Sequence, residues 1–207
     1  MGDRRGIDAA RRRFDRWAPT YEADRRSRKL LEIQAEALEA LHLGSDDELL
    51  DVGCGTGAAV RRASPLVRRA VGIDLSPAMI ARARELAADL PNVLFIEGES
   101  RELPFADREF TAVLCTSSLH HHPQPAVAVK EMSRVLAPGG RLVIGDPCAD
   151  LPAARVVDVF LRLLEPGHVR MYRSEELAAF VYRAGLGEAK VRKLWNGGYA
   201  LVRAVKA

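Results

Sequence analysis

Hydrophobic and polar positions change their spacing along the chain. Over residues 4–42 they recur at helical intervals, which predicts two helices around a break at Ala18-Pro19. Leu30, Gln34, Ala37, Leu38 and Leu41 give the second helix a stripe, and Gly44 can stop it. The period then shortens to apolar runs of strand length: ELLDVG at 48–53, RAVGIDLS at 69–76, VLFIEGE at 93–99, FTAVLCTSS at 110–118 and RLVIGD at 141–146. Helical stretches lie between most of them. Ser76 can cap a helix over 77–89, with Pro77 at the first position, where its missing N–H does no harm. Met79, Ala83, Leu86, Ala87 and Leu90 form that helix's apolar stripe, and Pro91 ends it. A helix over 124–136 carries Ala128, Met132, Val135 and Leu136 and stops at Pro138-Gly139-Gly140. Alternation of this kind predicts an α/β fold with a mostly parallel sheet covered by helices on both faces.

The tail departs from that rhythm. After helices near 151–164 and 174–184, residues 188–195 and 199–206 read as two strands around Asn196-Gly197-Gly198, a strong hairpin signal. An antiparallel hairpin therefore closes a sheet of seven strands. The face of Leu177, Phe180, Val181 and Ala184 is expected to pack on that sheet.

Composition sets bounds on this picture. A chain of 207 residues, 48% hydrophobic, suits one domain with a proper core. The expected division is a helical lid over 1–44, a ligand-binding core over 45–146, and substrate-side helices with the closing hairpin over 147–207. No apolar run approaches the roughly 18–20 residues of a membrane helix. The N-terminus is Arg-rich without an apolar stretch, which excludes a secretory signal, and Asp3, Asp8 and Asp15 argue against a transit peptide. The cytoplasm is the expected location. Cys54, Cys115 and Cys148 are odd in number and form no CxxC pair, so they read as small buried hydrophobes. The net charge of +3 is uneven: residues 1–30 hold ten Lys/Arg against five Asp/Glu, and the remaining 21 basic and 23 acidic residues nearly cancel. This basic N-terminus reads first as a solvated helix face and second as a rim that attracts an anionic substrate or surface.

Ligands of open α/β sheets bind beyond the carboxyl ends of the strands. Four strand ends here carry candidate chemistry. The first, Asp51-Val52-Gly53-Cys54-Gly55-Thr56-Gly57, lets the backbone turn sharply and approach a ligand closely, and it leads into a helix N-terminus suited to a carboxylate. The second is Asp74, which can accept from both hydroxyls of a ribose. The third is Glu97-Gly98-Glu99-Ser100, placed to meet an adenine edge. The fourth is Thr116-Ser117-Ser118-Leu119-His120-His121. Gly53, Gly55 and Ala58 also fit the dinucleotide fingerprint, so the loop alone leaves an NAD-binding oxidoreductase open.

The assembled string resembles the class I S-adenosylmethionine-dependent methyltransferases, in particular the small-molecule family that includes the ubiquinone/menaquinone-biosynthesis enzymes. The matches are FDRWAPTYE (14–22), LLDVGCGTG (49–57), GIDLSPAMI (72–80), EGESRELPFAD (97–107), SSLHHHPQP (117–125), RVLAPGGRLVIGD (134–146) and HVRMYRSEELAAFVYRAGL (168–186). The resemblance implies a Rossmann-like fold, S-adenosylmethionine as cofactor, and methyl transfer to O, N or C of a small molecule. It implies that Gly53 and Gly55 pass against the methionine part and that Asp51 helps hold its amino group. Asp74 would take the ribose and Leu75 the adenine face. Glu99, where the family usually has Asp, would reach the adenine amine, with the Ser100 N–H beside it. Thr116 would present a backbone carbonyl, and Tyr21 would close over the cofactor. A cationic sulfonium also suits the nearby Asp51 and Glu99 better than a pyrophosphate does.

His121 and His120 are the candidate bases, because neutral imidazole titrates near working pH. Asp146 is a lesser candidate for substrate contact. No metal is expected: consecutive residues such as His120-His121-His122 rarely converge on one ion without a sharp turn. Nucleic acid is a poor fit, since the Asn/Asp-Pro-Pro-aromatic motif of base-amino methylating enzymes is replaced by Ser117-Ser118-Leu119-His120. The oxidoreductase alternative lacks a Tyr-x-x-x-Lys motif and a separate substrate domain. A non-catalytic S-adenosylmethionine-binding regulator or partner subunit is the other alternative.

Overall fold

A computed structural model describes residues 2–165 and 167–207, the side chains of 2–5, 25 and 26 excepted. The sheet has seven strands: β1 (Glu48–Val52), β2 (Arg69–Asp74), β3 (Val93–Glu97), β4 (Phe110–Thr116), β5 (Leu136–Pro147), β6 (Lys190–Leu194) and β7 (Tyr199–Val205). Their spatial order is β3-β2-β1-β4-β5-β7-β6. β3, β2, β1, β4 and β5 pair in parallel. β7 runs antiparallel to both β5 and β6, so the predicted hairpin closes the sheet by wedging its second strand inside its first. The turn between them uses left-handed backbone at Trp195, Asn196 and Gly197, as the Asn-Gly-Gly sequence anticipates.

Alternating side chains divide the interior into two cores. Leu50, Val52, Val113 and Ile144 face one layer, where α5 (Pro125–Val135) and α7 (Ser174–Arg183) bring Met132, Val135, Leu177 and Val181. Leu49, Ala70, Leu114 and Val143 face the other, covered by α2 (Arg25–Leu41), α3 (Ala58–Ala63) and α4 (Pro77–Leu86) through Ile33, Ala37, Val60 and Ile80. Both faces are dry, which is why the central strands read as unbroken apolar runs. The three cysteines are free and buried.

Several boundaries shift. The Ser76 hydroxyl accepts from the Met79 N–H at 3.1 Å, as a cap should, but α4 ends at Leu86 rather than residue 89. β5 begins early: Leu136 pairs with Phe110, the register is then interrupted, and pairing resumes at Arg141 opposite Ala112. The Pro-Gly-Gly that stops α5 is looped out within that interruption.

Two helices flank the strand ends. α1 (Gly2–Trp17) and a 3-10 turn (Ala18–Ala23) meet at the predicted break. α6 (Pro152–Leu164) is inverted: Asp158 is buried at 4% exposure, while Leu163 and Leu164 are 76% and 77% exposed. Among the described residues no helix is long and apolar enough to cross a membrane.

Candidate active site

The carboxyl ends of β1, β2, β3 and β4 open into one cleft, roofed by α1 and the turn after it, which encloses about 940 Å³ of empty space including its mouth. Tyr21, Gly53, Gly55, Asp74, Leu75, Glu99, Ser100, Thr116 and His121 all line it. Asp51 and His120 do not; each stands behind a lining residue.

The glycine loop has the geometry its sequence requires. Gly53 and Gly55 sit at φ +77° and +53°, and a Cβ on Gly53 would lie 2.1 Å from the Ser118 Oγ. Asp74, at the end of β2, ties the loop down. Its Oδ2 accepts from the Gly55 N–H at 2.8 Å and its Oδ1 from the Ser76 N–H at 2.9 Å. Burial raises its pKa against the pull of these bonds. The helix that follows the loop is only six residues long. The helix-end carboxylate site expected there is therefore a single turn, and Thr56 turns away to donate to Glu22 at 2.7 Å.

Asp51 is fully buried and neither carboxylate oxygen has a hydrogen-bond partner. Burial, with the nearby Asp74 charge, pushes its pKa up to about 8. An orphaned carboxylate beside a left-handed glycine loop is the feature a cationic ligand group would satisfy. Among the described residues the charged side chains lining the cleft are Asp74, Glu99 and Arg101, and Arg101 is bonded to Glu99 at 2.7 Å. This charge set fits a sulfonium with an amino-acid tail better than two phosphates.

The roof is pinned by contacts the sequence did not announce. Asp15 accepts from the Ser76 hydroxyl at 2.6 Å, tying α1 to the start of α4. Glu22 accepts from Thr56 and from Arg61 at 2.8 Å, tying the following turn to the loop. Between them Tyr21 packs edge-on to Trp17 at 4.7 Å and lies over Gly55, 3.8 Å from where a Cβ would stand. Burial and the charges of Asp74 and Asp51 keep its hydroxyl protonated.

The histidines separate by role. His122, absent from the expected set, lines the cleft with both ring nitrogens engaged, by Ser100 at 2.9 Å and Ser118 at 3.0 Å. Burial pushes its pKa down to about 4. His121 faces the cleft beside Phe14, to which it is edge-on at 5.1 Å, and its Nδ1 meets the Gly167 carbonyl at 2.9 Å. Burial and the neighbouring His120 hold it well below the usual histidine range. His120 lies behind, 3.1 Å from Asp146. Gln34 is a further residue missed as functional: it lines the cleft from α2, and its buried Oε1 has no partner. A polar residue inside an apolar helical stripe was the available signal.

Comparison with known proteins agrees with this geometry. Residues 50–144 match the family described as Methyltransferase domain. The chain is 32% identical over 158 residues to an uncharacterized methyltransferase, YcgJ, of Bacillus subtilis, an alignment covering 73% of this chain and 61% of that protein. It is 36% identical over 152 residues to a 27-O-demethylrifamycin SV methyltransferase of Amycolatopsis mediterranei, covering 70% and 56%. The chain thus spans about three fifths of the length of these curated relatives. The YcgJ crystal structure superposes with a TM-score of 0.74 at 22% identity over 84% of this chain and 97% of that one. A structure of an S-adenosylmethionine-dependent methyltransferase of Thermotoga maritima, a possible histamine N-methyltransferase, gives 0.73 at 23% identity over 94% and 98%. The match to the methyltransferase-domain family lies in residues 50–144, and the fold is the one seen in these solved methyltransferase structures.

Proposed function

We propose that the protein moves a methyl group from S-adenosylmethionine to an oxygen, nitrogen or carbon of a small, largely apolar acceptor. The observation that carries this reading is Asp51, a buried carboxylate with no partner, set directly before the Gly53–Gly55 turn. When bound, the cofactor supplies a methyl group activated on a cationic sulfur. Gln34 offers its unpaired oxygen to the cofactor's amino-acid end, and Asp51, behind the lining, holds the amino group through water. Asp74 accepts from the ribose hydroxyls, Leu75 packs on the adenine, and Glu99 and Ser100 meet the adenine edge. Thr116 contributes its carbonyl, and Tyr21 covers the site and keeps water out.

Among the described residues the acceptor side is walled by Ile7, Ala10 and Phe14 of α1, with His121 as its polar group. Apolar walls with one convergent polar group suit a hydrophobic molecule held by a single functional end. The relative named for 27-O-demethylrifamycin SV is consistent with acceptors of this kind. Methyl transfer is an in-line displacement, so alignment supplies much of the rate. His121 is the ring that reaches the acceptor, and His120, held by Asp146, positions it from behind. The cytoplasm is the proposed location, which three free thiols favour.

The test is turnover. The full chain is incubated with S-adenosylmethionine and a panel of apolar alcohols, phenols, amines and stabilised carbanions, and S-adenosylhomocysteine is measured. Product with at least one member is expected. Tight cofactor binding with no product across the panel would instead indicate a binding protein.

A further inference from the structure

Three of the chain's five histidines cluster where His121 lines the cleft, with His120 and His168 behind it. His120 and His121 lie on the 3-10 turn Leu119–His121, which supplies the sharp bend that consecutive ligands need. His168 arrives from the segment after α6. One nitrogen of each ring can be chosen so that all three lie within 4.8 Å of one another. Two backbone bonds fix the two segments together: the Val169 and Arg170 N–H groups both donate to the His120 carbonyl, at 3.0 and 3.2 Å. Gly167, at φ +86°, passes so close to α1 that a Cβ there would lie 2.5 Å from the Ala10 Cα.

One nitrogen of each ring is spoken for, and in one chemical sense. His120 Nδ1 is 3.1 Å from Asp146 Oδ1, His121 Nδ1 is 2.9 Å from the Gly167 carbonyl, and His168 Nε2 is 2.8 Å from Asp158 Oδ1. Each partner is an acceptor, so each ring in its neutral form carries its proton on that nitrogen and leaves a lone pair on the other: Nε2 of His120, Nε2 of His121 and Nδ1 of His168. Carboxylates and carbonyls that fix the tautomer in this way are the usual outer partners of metal-bound histidines. The acceptors are themselves held. Asp158, buried on the inverted face of α6, also accepts from the Met171 N–H at 2.7 Å and pairs with Arg162. Asp146 is fully buried, and its second oxygen has no partner.

We infer that His120, His121 and His168 form a three-histidine site for a divalent transition-metal ion of the zinc class. Three imidazoles without a carboxylate ligand favour zinc, cobalt, nickel or copper over magnesium or calcium. Tetrahedral binding at about 2.0–2.1 Å sets ligand nitrogens about 3.4 Å apart, so the rings close in modestly when the ion enters. His122 supplies no fourth ligand, because Ser100 and Ser118 occupy its nitrogens. The fourth position is left to water or to an acceptor oxygen at the His121 wall of the cleft. Its use in catalysis, unlike the binding itself, rests on the proposed methyl transfer. An acceptor hydroxyl on the ion would release its proton to solvent more readily. The oxygen would then bond to the methyl carbon as the carbon–sulfur bond breaks, its electron pair leaving with sulfur.

The untagged full chain, stripped with chelator, is titrated with Zn²⁺ against a chromophoric chelator and with Co²⁺ by visible absorption. One equivalent of Zn²⁺ and a four-coordinate Co²⁺ spectrum are expected. His168→Ala and His120→Ala should abolish stoichiometric binding, Asp158→Asn should weaken it about 10–100-fold, and His42→Ala should leave it unchanged. Circular dichroism checks that each variant folds. If His168→Ala does not, His168→Gln removes the imidazole while its amide can still donate to Asp158. Substoichiometric uptake, or equal uptake by wild type and His168→Gln, overturns the site. Titrating the same samples with S-adenosylhomocysteine separates the two claims. Cofactor binding without metal sinks only the metal site, and metal without cofactor sinks only the methyltransferase reading.

Discussion

The two ends of the cleft are built by different means. The cofactor end is assembled from successive strand–helix junctions, and one carboxylate ties two of them: Asp74 accepts from the Ser76 N–H just after its own strand and from the Gly55 N–H just after β1. The acceptor end is assembled across the chain. His121 finds its partner 46 residues later at Gly167, and His120 finds Asp146 26 residues later at the end of β5. A motif read along the sequence captures the first kind of construction and is nearly blind to the second. One consequence is that damage to the two ends should separate, with cofactor affinity governed by one set of residues and acceptor chemistry by the other.

The largest separation is expected from Asp74→Ala. It removes two charge-assisted bonds, one to the loop and one to the start of α4, and the proposed ribose contact, and at about 1.5–3 kcal/mol for a bond to a charged group the cofactor should bind at least about 100-fold more weakly. Calorimetry with S-adenosylhomocysteine reads this directly, and an affinity within a few fold of wild type would break the distinction. Next come two glycines, one for each end. Gly53→Ala places a methyl group on Ser118 in left-handed backbone, with a strain of about 1–3 kcal/mol, so it should lower both the melting temperature and cofactor affinity. Gly167→Ala collides with Ala10 and should lower the melting temperature similarly while leaving S-adenosylhomocysteine affinity nearly intact.

A pH dependence follows from Asp51. Its pKa is about 8 in the folded, ligand-free protein, against about 3.9 in an unfolded chain. Between those values the folded state binds the extra proton, so stability is greatest below the lower value and is lost as pH rises through the upper one. The melting temperature of the ligand-free protein should therefore fall from about pH 5 to pH 8. Asp51→Asn should remove most of that slope, leaving the part due to Asp74, which shifts in the same direction. The smallest effect is expected at the roof. Glu22→Gln weakens the tie to Thr56 and Arg61 and should raise the cofactor dissociation constant by up to roughly tenfold, measured by the same calorimetry.

Legibility in the sequence follows the same divide. Strand periodicity, glycines and the Asn-Gly-Gly turn exposed the sheet and its closing hairpin, because each is encoded within a few residues. The lining of the cofactor end was legible too, since β1 to β4 deliver their ends to one side by topology. The partners of Asp15 and Glu22 were not: both acids lie in the FDRWAPTYE match, but nothing local ties them to Ser76 and Thr56 until the fold carries them there. His168 lay inside a recognised stretch but nothing local tied it to His120 and His121. The lone acid Asp158 within an apolar helix was the one signal on that side, marking a buried polar face on a helix whose leucines point outward. Helical periodicity locates a stripe, but which side of it meets the protein is a tertiary fact.

The central claim is that this cleft holds S-adenosylmethionine, and it is tested most directly by calorimetry of the full chain with S-adenosylhomocysteine and, separately, with NAD. One equivalent of S-adenosylhomocysteine bound, weakened by Asp74→Ala, with no NAD uptake, is the expected result. Tight NAD binding without S-adenosylhomocysteine binding would contradict it.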